Sequence, residues 1–433
     1  ATYKAPKAKP AANGHDGTPH TSWWPIDLAE LFDGTHQPPT PAADRGLHSQ
    51  TRAIRSGRRG DDRSLAPVLW ATSTFWSSSV DEARKMATMA GADRFYSRYG
   101  NPTVGGFEDL VADLEGAEAA RAYASGMGAI TGIVLGLCSA GDHIVAQRQL
   151  YAATQLLFQA ACPRFGIDVT FVDGTEPGAF AAAVRPGKTT LVFAETPANP
   201  KLDIIDLAEV GAIKGPVTVV DSTFATPMLQ QPLAHGVDLV VHSATKGIAG
   251  HNDATLGVVA GSRELIDWLW GFAVLQGAAA SPFDALNATR GMRTLPLRIR
   301  QQSETALALA TALEARPDVT DVRYPGLASH PQHELARRQM SAGGGLVTFD
   351  VVGGLEAGRR FVEAVEIAQL ATSLGGPETL VTHPASTTHV NLLPDELAAN
   401  GIGPGTIRVS VGLEHPDDVL ADFARALDAA AGG

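Results

Sequence analysis

The chain has 433 residues, 44% of them hydrophobic and 18% charged. This balance excludes a mostly disordered chain or a long coiled coil and leaves room for two or three domains. A formal net charge of −12 argues against nucleic acid or an anionic membrane as the main partner, and two cysteines, Cys138 and Cys162, without a CxxC pair or His-rich tract, exclude a disulfide framework or a common structural zinc pattern.

Residues 1–104 read as an N-terminal tail and subunit-contacting arm. Lys4–Pro19 is rich in Pro, Gly and His with little apolar periodicity, as in a flexible tail. Arg52, Arg55, Arg58, Arg59 and Arg63 form a basic run interrupted by Asp61 and Asp62, better suited to a solvated or subunit-facing arm than to a polyanion site. Trp23 and Trp24 are candidate anchors for the arm. The first residues carry no charged-then-apolar secretory pattern, and the longest apolar run, Ala129–Cys138, is short and broken by glycine. A cytoplasmic protein with no membrane contact is therefore expected.

Residues 105–288 alternate short β-branched runs with amphipathic stretches. The runs His143–Ala146, Val169–Val172, Leu191–Ala194, Val217–Val220, Asp238–Val241 and Gly257–Ala260 predict strands, with helices over Thr154–Ala161 and Leu207–Ile213 between them. Nearly continuous apolar strands alternating with helices predict an α/β fold, its mostly parallel sheet covered by helices on both faces. Ligands of such sheets gather beyond the carboxyl ends of the strands. A helical pattern over Leu286–Ala315 leads into a smaller α/β domain, residues 289–433. Its predicted strands are Gly345–Val351 and Thr406–Val411, and its helices Glu356–Val365 and Pro416–Ala430.

Four motifs fall at strand ends. His242-Ser243-Ala244-Thr245-Lys246-Gly247 follows a buried run; a partly desolvated lysine there is a better nucleophile, and Ser243 and Thr245 offer hydroxyls to a phosphate. Asp221 ends the strand Val217–Val220, where a carboxylate can keep a pyridine nitrogen protonated. Ser125-Gly126-Met127-Gly128 opens an apolar helix, so backbone N–H groups can meet a phosphate. Asn199 sits between Pro197 and Pro200 in Glu195-Thr196-Pro197-Ala198-Asn199-Pro200, held to aim one hydrogen bond. Each has a plainer reading: a surface lysine, a helix-capping aspartate, an ordinary helix cap, a strand-ending turn. Lysine and aspartate at neighbouring strand ends are what a pyridoxal phosphate (PLP) enzyme requires.

Taken in order, these motifs resemble those of the Cys/Met-metabolism PLP-dependent enzymes, the group of cystathionine γ-synthase, cystathionine γ-lyase, methionine γ-lyase and the O-acylhomoserine sulfhydrylases. The likeness runs from Thr51-Arg52-Ala53-Ile54-Arg55 to the C-terminus. It includes Tyr96-Ser97-Arg98-Tyr99-Gly100-Asn101-Pro102, Ser243-Ala244-Thr245-Lys246, Ser373-Leu374-Gly375-Gly376 and Arg408-Val409-Ser410-Val411-Gly412.

The resemblance implies a fold type I PLP-dependent transferase and pyridoxal 5'-phosphate as cofactor. It implies Lys246 as the PLP-bearing lysine and proton shuttle, Asp221 as partner of the pyridine nitrogen, and Tyr151 as the ring stacked on the cofactor. Gly126, Met127, Ser243 and Thr245 would bind the phosphate, with Tyr96 and Arg98 reaching that of a neighbouring subunit in a homotetramer of two catalytic dimers. Arg408 would clamp the substrate carboxylate, with Ser373 and Asn199 nearby.

The implied reaction is at the γ-carbon of an L-amino acid. The first expectation is γ-elimination through a vinylglycine-type intermediate; γ-replacement by a thiol, or loss of a non-sulfur group such as halide, are the alternatives. A non-catalytic member of the family is a further alternative, opposed by the intact Lys246, Asp221 and Arg408. No metal is implied; His242, His251, His383 and His389 fit no common zinc spacing. The chain departs from methionine γ-lyases in having Ala153 where they resemble one another in a cysteine, and Ala273-Val274 where they have Lys-Asp. A more apolar wall of this kind suits a small uncharged γ-substituent.

Overall fold

The computed structural model describes residues 46–58, 64–388, 390, 397–398 and 401–431. Lys4–Pro19, Trp23, Trp24, Arg59, Asp61, Asp62, Arg63 and His389 lie outside them. Within the arm, the helix Ser49–Arg55 turns Arg52 inward, where its guanidinium lies 3.6 Å from Asp113, so this arginine of the basic run is buried and paired rather than solvated.

Seven strands form the large sheet: β1 (Ala119–Tyr123), β2 (His143–Gln147), β3 (Asp168–Val172), β4 (Thr189–Glu195), β5 (Val217–Asp221), β6 (Leu239–Ser243) and β7 (Gly257–Gly261). Their order is β1-β7-β6-β5-β4-β2-β3. The five from β3 to β6 pair in parallel, and β7 runs antiparallel to both β6 and β1. The expected mostly parallel sheet is thus present, and each predicted run is a strand to within two residues. Alternate residues of these strands feed different cores. Leu191, Phe193, Val217, Val219, Leu239 and Val241 pack under the helices Gly126–Leu137 and Arg263–Gln276, while Val192, Ala194 and Val220 enter a core on Leu207 and Val210. Burial on both faces explains why the strands read as continuous apolar runs rather than alternating ones.

The second sheet has five strands in the order β10-β11-β12-β9-β8: β8 (Val319–Arg323), β9 (Leu346–Val351), β10 (Gln369–Leu370), β11 (Leu380–Thr382) and β12 (Thr406–Ser410). Its core holds the edge-on stack Phe349, Phe361 and Phe423, with centroids 5.6 and 5.4 Å apart. The two sheets are joined by one 33-residue helix, Pro282–Glu314. Ala285, Ala288 and Met292 of this helix pack on the large sheet, Leu295 and Ile299 in between, and Ala306, Leu309, Ala310 and Leu313 on the small one. The boundary at 288/289 falls inside this helix. Midway along it, the buried Arg298 donates to the carbonyls of Gly247 (2.9 Å) and Gly291 (2.7 Å). Among the described residues no helix is long and apolar enough to cross a membrane.

Candidate active site

The carboxyl ends of β4, β5 and β6 open into a cavity of about 790 Å³. Ten of the twelve residues expected at the site line it: Gly126, Met127, Tyr151, Asn199, Asp221, Ser243, Thr245, Lys246, Ser373 and Arg408. Tyr96 and Arg98 do not. Arg98 donates to the Val274 carbonyl (2.6 Å), and its guanidinium lies 5.4 Å from the ring centroids of both Tyr96 and Tyr99.

Lys246 stands three residues past β6, in a turn where its N–H bonds to the Ser243 carbonyl. Its Nζ donates to Ser373 Oγ at 2.6 Å. Burial, and then the nearby Arg408 charge, pull its pKa down to about 8. A larger fraction of free amine at neutral pH follows, as a nucleophile requires. Ser373 holds a φ of +79°, unusual for a residue with a side chain, and this places both its hydroxyl at Lys246 and its carbonyl at Arg408.

Asp221 is the last residue of β5. Its Oδ1 accepts from the Thr223 N–H (3.0 Å) and Thr223 Oγ1 (2.5 Å), and that hydroxyl accepts in turn from the Ser243 N–H (2.8 Å). Burial raises the carboxyl pKa, and the bonds from Thr223 counter it. A cationic ring nitrogen is the kind of partner such a buried carboxylate lacks.

The helix Gly126–Leu137 points its first turn into the cavity. Ser125 Oγ accepts from the Gly128 N–H at 3.0 Å, and the other N–H groups of a first turn have no intrahelical partner. The turn sits tight against the end of β6: a Cβ built on Gly126 would lie 2.8 Å from Ser243 Cβ, and one on Gly257 only 2.1 Å from the Ser125 carbonyl oxygen. Ser243 and Thr245 complete this end. Thr245 Oγ1 also bonds across to Leu256. Nearby, Tyr151 is 47% exposed, on the cavity rim.

From the second sheet, β12 supplies Arg408. Its Nη1 donates to Asn199 Oδ1 (2.9 Å) and its Nη2 to the Ser373 carbonyl (3.1 Å), while its buried Nε has no protein partner. Burial lowers its pKa to about 10, which leaves it charged at neutral pH. An orphaned N–H on a buried guanidinium suits a ligand carboxylate. An amine, a buried acid, a tight helix start and this arginine are what PLP and an amino acid need, so the residues fit the cofactor.

Two cavity residues bonded to the site, Glu195 and Thr223, are not singled out by the strand-end motifs. Glu195 ends β4 as Asp221 ends β5, the two being register partners, and that shared position is the signal that identifies it. Thr223 is visible only through its contacts. The histidines are bound elsewhere: His242 to Glu115 at 2.6 Å, His251 to the Ala249 carbonyl, His383 to Ser386 and the Pro404 carbonyl. Among the described residues no group of three or more His, Cys, Asp or Glu is arranged to hold a metal ion. Ala153 lines the cavity, whereas Ala273 and Val274 are buried in the helix Arg263–Gln276.

The family model for Cys/Met metabolism PLP-dependent enzymes matches residues 50–428. The chain is 44% identical to an O-succinylhomoserine sulfhydrylase of Pseudomonas aeruginosa, over 89% of this chain and 96% of that protein. It is also 44% identical to an L-methionine gamma-lyase of Pseudomonas putida, over 88% of this chain and 97% of that protein. A solved cystathionine gamma synthase of Xanthomonas oryzae pv. oryzae superposes with a TM-score of 0.84 at 37% identity, over 89% of this chain and 99% of that one. With the strand-end lysine and aspartate, the helix start and the arginine in one cavity, and a family model spanning nearly all the described chain, this protein belongs to the Cys/Met metabolism PLP-dependent enzymes.

Proposed function

We propose that the protein acts at the γ-carbon of an L-amino acid bearing a small uncharged γ-substituent, by γ-elimination to a 2-oxo acid and ammonia. The observation that carries this is that Lys246 and Arg408 line one cavity and are both bonded to Ser373. PLP, when bound, supplies an aldehyde for the substrate amine and a ring that drains charge from the substrate carbons. Lys246 would bind the cofactor and could carry protons between the substrate carbons, its Nζ being held beside Ser373 Oγ. Asp221 would keep the ring nitrogen protonated, Tyr151 would lie against the ring, and Gly126, Met127, Ser243 and Thr245 would hold the phosphate. Arg408 binds the substrate carboxylate, steadied by Asn199 and Ser373.

Ile130, Ala152, Ala153 and Leu156 contribute an apolar part of the cavity, and the described lining has no cation besides Lys246 and Arg408. That favours a substrate with an acetoxy or methylthio γ-substituent over one whose γ-substituent bears a free carboxylate. The relatives' names equally support γ-replacement by a thiol. Incubation with O-acetylhomoserine, with and without sulfide, separates the two. Ammonia released without any nucleophile supports elimination; turnover only with sulfide overturns it in favour of replacement.

The Gly126–Ser243 approach makes one substitution informative. Gly126→Ala is expected to weaken PLP binding about tenfold, within the cost of overpacking a tight contact. Titrating the apoprotein with PLP and following visible absorbance checks this.

We also infer that Tyr96 and Arg98, which lie off the cavity, complete the phosphate site of a neighbouring subunit in a homotetramer built from two catalytic dimers. In that assembly residues 1–104 would be the N-terminal tail and subunit-contacting arm, of which 1–45 and 59–63 lie outside the described residues, 105–288 the PLP-binding α/β domain and 289–433 the C-terminal α/β domain. Equal mixtures of refolded Arg98→Ala and Lys246→Ala chains are then expected to regain about a quarter of wild-type activity, since one site in each mixed dimer keeps both residues; no gain on mixing would sink the shared site. Free, buried Cys138 and Cys162 support a cytoplasmic location.

A further inference from the structure

We propose that Glu195 is a positioning residue, whose one carboxyl group fixes the backbone at Tyr151 and at Asn199 against Asp221. This rests on the reading that the cavity holds PLP. Glu195 is only 5% exposed. Its Oε2 accepts from the Tyr151 N–H and its Oε1 from the Asn199 N–H, both at 2.8 Å. Its own N–H donates to Gln147 Oε1, also at 2.8 Å, so the ends of β2 and β4 meet at this residue. Asn199 Oδ1 then receives Arg408 Nη1. A continuous line of bonds therefore crosses the cavity, from the loop bearing Tyr151, through Glu195 and Asn199, to Arg408 on the second sheet.

No near relative keeps both bonds. Glutamine has one acceptor oxygen, and its amide NH₂ would face one of the two N–H donors. Aspartate keeps the charge but is one methylene short. The charge matters separately from the reach. Glu195 and Asp221 are register partners, and burial together with the neighbouring Asp221 raises the carboxyl pKa of Glu195, while Arg408 and the two N–H bonds favour the ionised form. Each of its oxygens accepts a backbone N–H, so the geometry calls for the carboxylate form; an anion here favours protonation of groups on the bound cofactor, and its removal disfavours it.

The test uses the holoenzyme and the apoprotein of Glu195→Gln and Glu195→Asp. Three readouts are followed: PLP affinity of the apoprotein, the pH midpoint of the bound cofactor's visible band, and kcat/KM. In Glu195→Gln, affinity is expected to fall roughly tenfold, kcat/KM ten- to hundredfold, and the midpoint by about half a unit or more. In Glu195→Asp, affinity and kcat/KM fall while the midpoint stays near wild type, because charge is kept and reach is lost. Wild-type values in all three readouts for both variants would overturn the proposal, as would a Gln variant that loses only thermal stability. If the Gln variant does not fold, the Asp variant decides alone: reduced affinity and kcat/KM support the proposal, and wild-type values overturn it. A wild-type protein that binds no PLP would overturn the underlying reading as well, which separates the two failures.

Discussion

Lys246→Ala is expected to lower turnover by about 10⁴ or more and to leave the protein without a cofactor bond that borohydride traps. On the proposed reading two roles would be lost at once, because the same Nζ would bind the cofactor and move the substrate protons. The surroundings serve that amine rather than the fold. Burial and Arg408 lower its pKa to about 8, and its recorded side-chain bond is to one hydroxyl, Ser373 Oγ. An alanine removes an amine whose charged form is disfavoured there, so the variant apoprotein is expected to unfold at the temperature of the wild-type apoprotein or above it. Small primary amines are expected to restore part of the turnover, more strongly as pH rises and more free amine is present. Borohydride trapping, followed by peptide mapping, and thermal unfolding check both halves. A variant that still forms a trappable bond would remove Lys246 from the mechanism.

Arg408→Lys and Arg408→Ala are expected to act on the substrate and not on the cofactor. Truncating one partner of a buried, charged hydrogen-bond pair costs about 2–5 kcal/mol, or roughly 30- to several-thousandfold in kcat/KM. Most of the loss belongs in KM, because the substrate carboxylate is held in ground and transition states alike. Lysine is expected to rescue little. It is a point charge and cannot keep bonds to Asn199 Oδ1 and the Ser373 carbonyl while presenting a further N–H to a ligand. The visible band of the bound cofactor is expected to persist in both variants. Steady-state kinetics and absorption spectra on the same preparations provide the check; unchanged KM with loss of the band would reassign Arg408 to cofactor binding.

The large sheet was legible because its inner strands, β2 and β4 to β7, are buried on both faces and rich in Val, Leu, Ile and Ala. β1 was not, since Ala119-Ala120-Arg121-Ala122-Tyr123 has no β-branched residue and closes the sheet only by pairing with β7. β8 was missed for a related reason: Val319-Thr320-Asp321-Val322-Arg323 is a partly exposed edge with a register shift. At the site, strand-end position exposed Asp221 and Lys246, whose chemistry is stated by residue type alone. Glu195 occupies the same kind of position, but its bonds go to backbone groups 44 and 4 residues away. Short-range pattern carries no trace of the first. The Lys246–Ser373 and Arg408–Asn199 contacts bridge 127 and 209 residues. They depend on how the two sheets are set against each other, which resemblance anticipated and periodicity did not.

The helix Pro282–Glu314 is a shared beam rather than a linker, and its Arg298 bolts it to the turn that carries Lys246. The two halves of the chain are therefore not interchangeable cassettes. A chimera that grafts a relative's C-terminal half at residue 289 would splice two beams in mid-span, with the bolt and its socket drawn from different parents. Recombination between such enzymes should succeed only where the whole beam travels with the turn it braces.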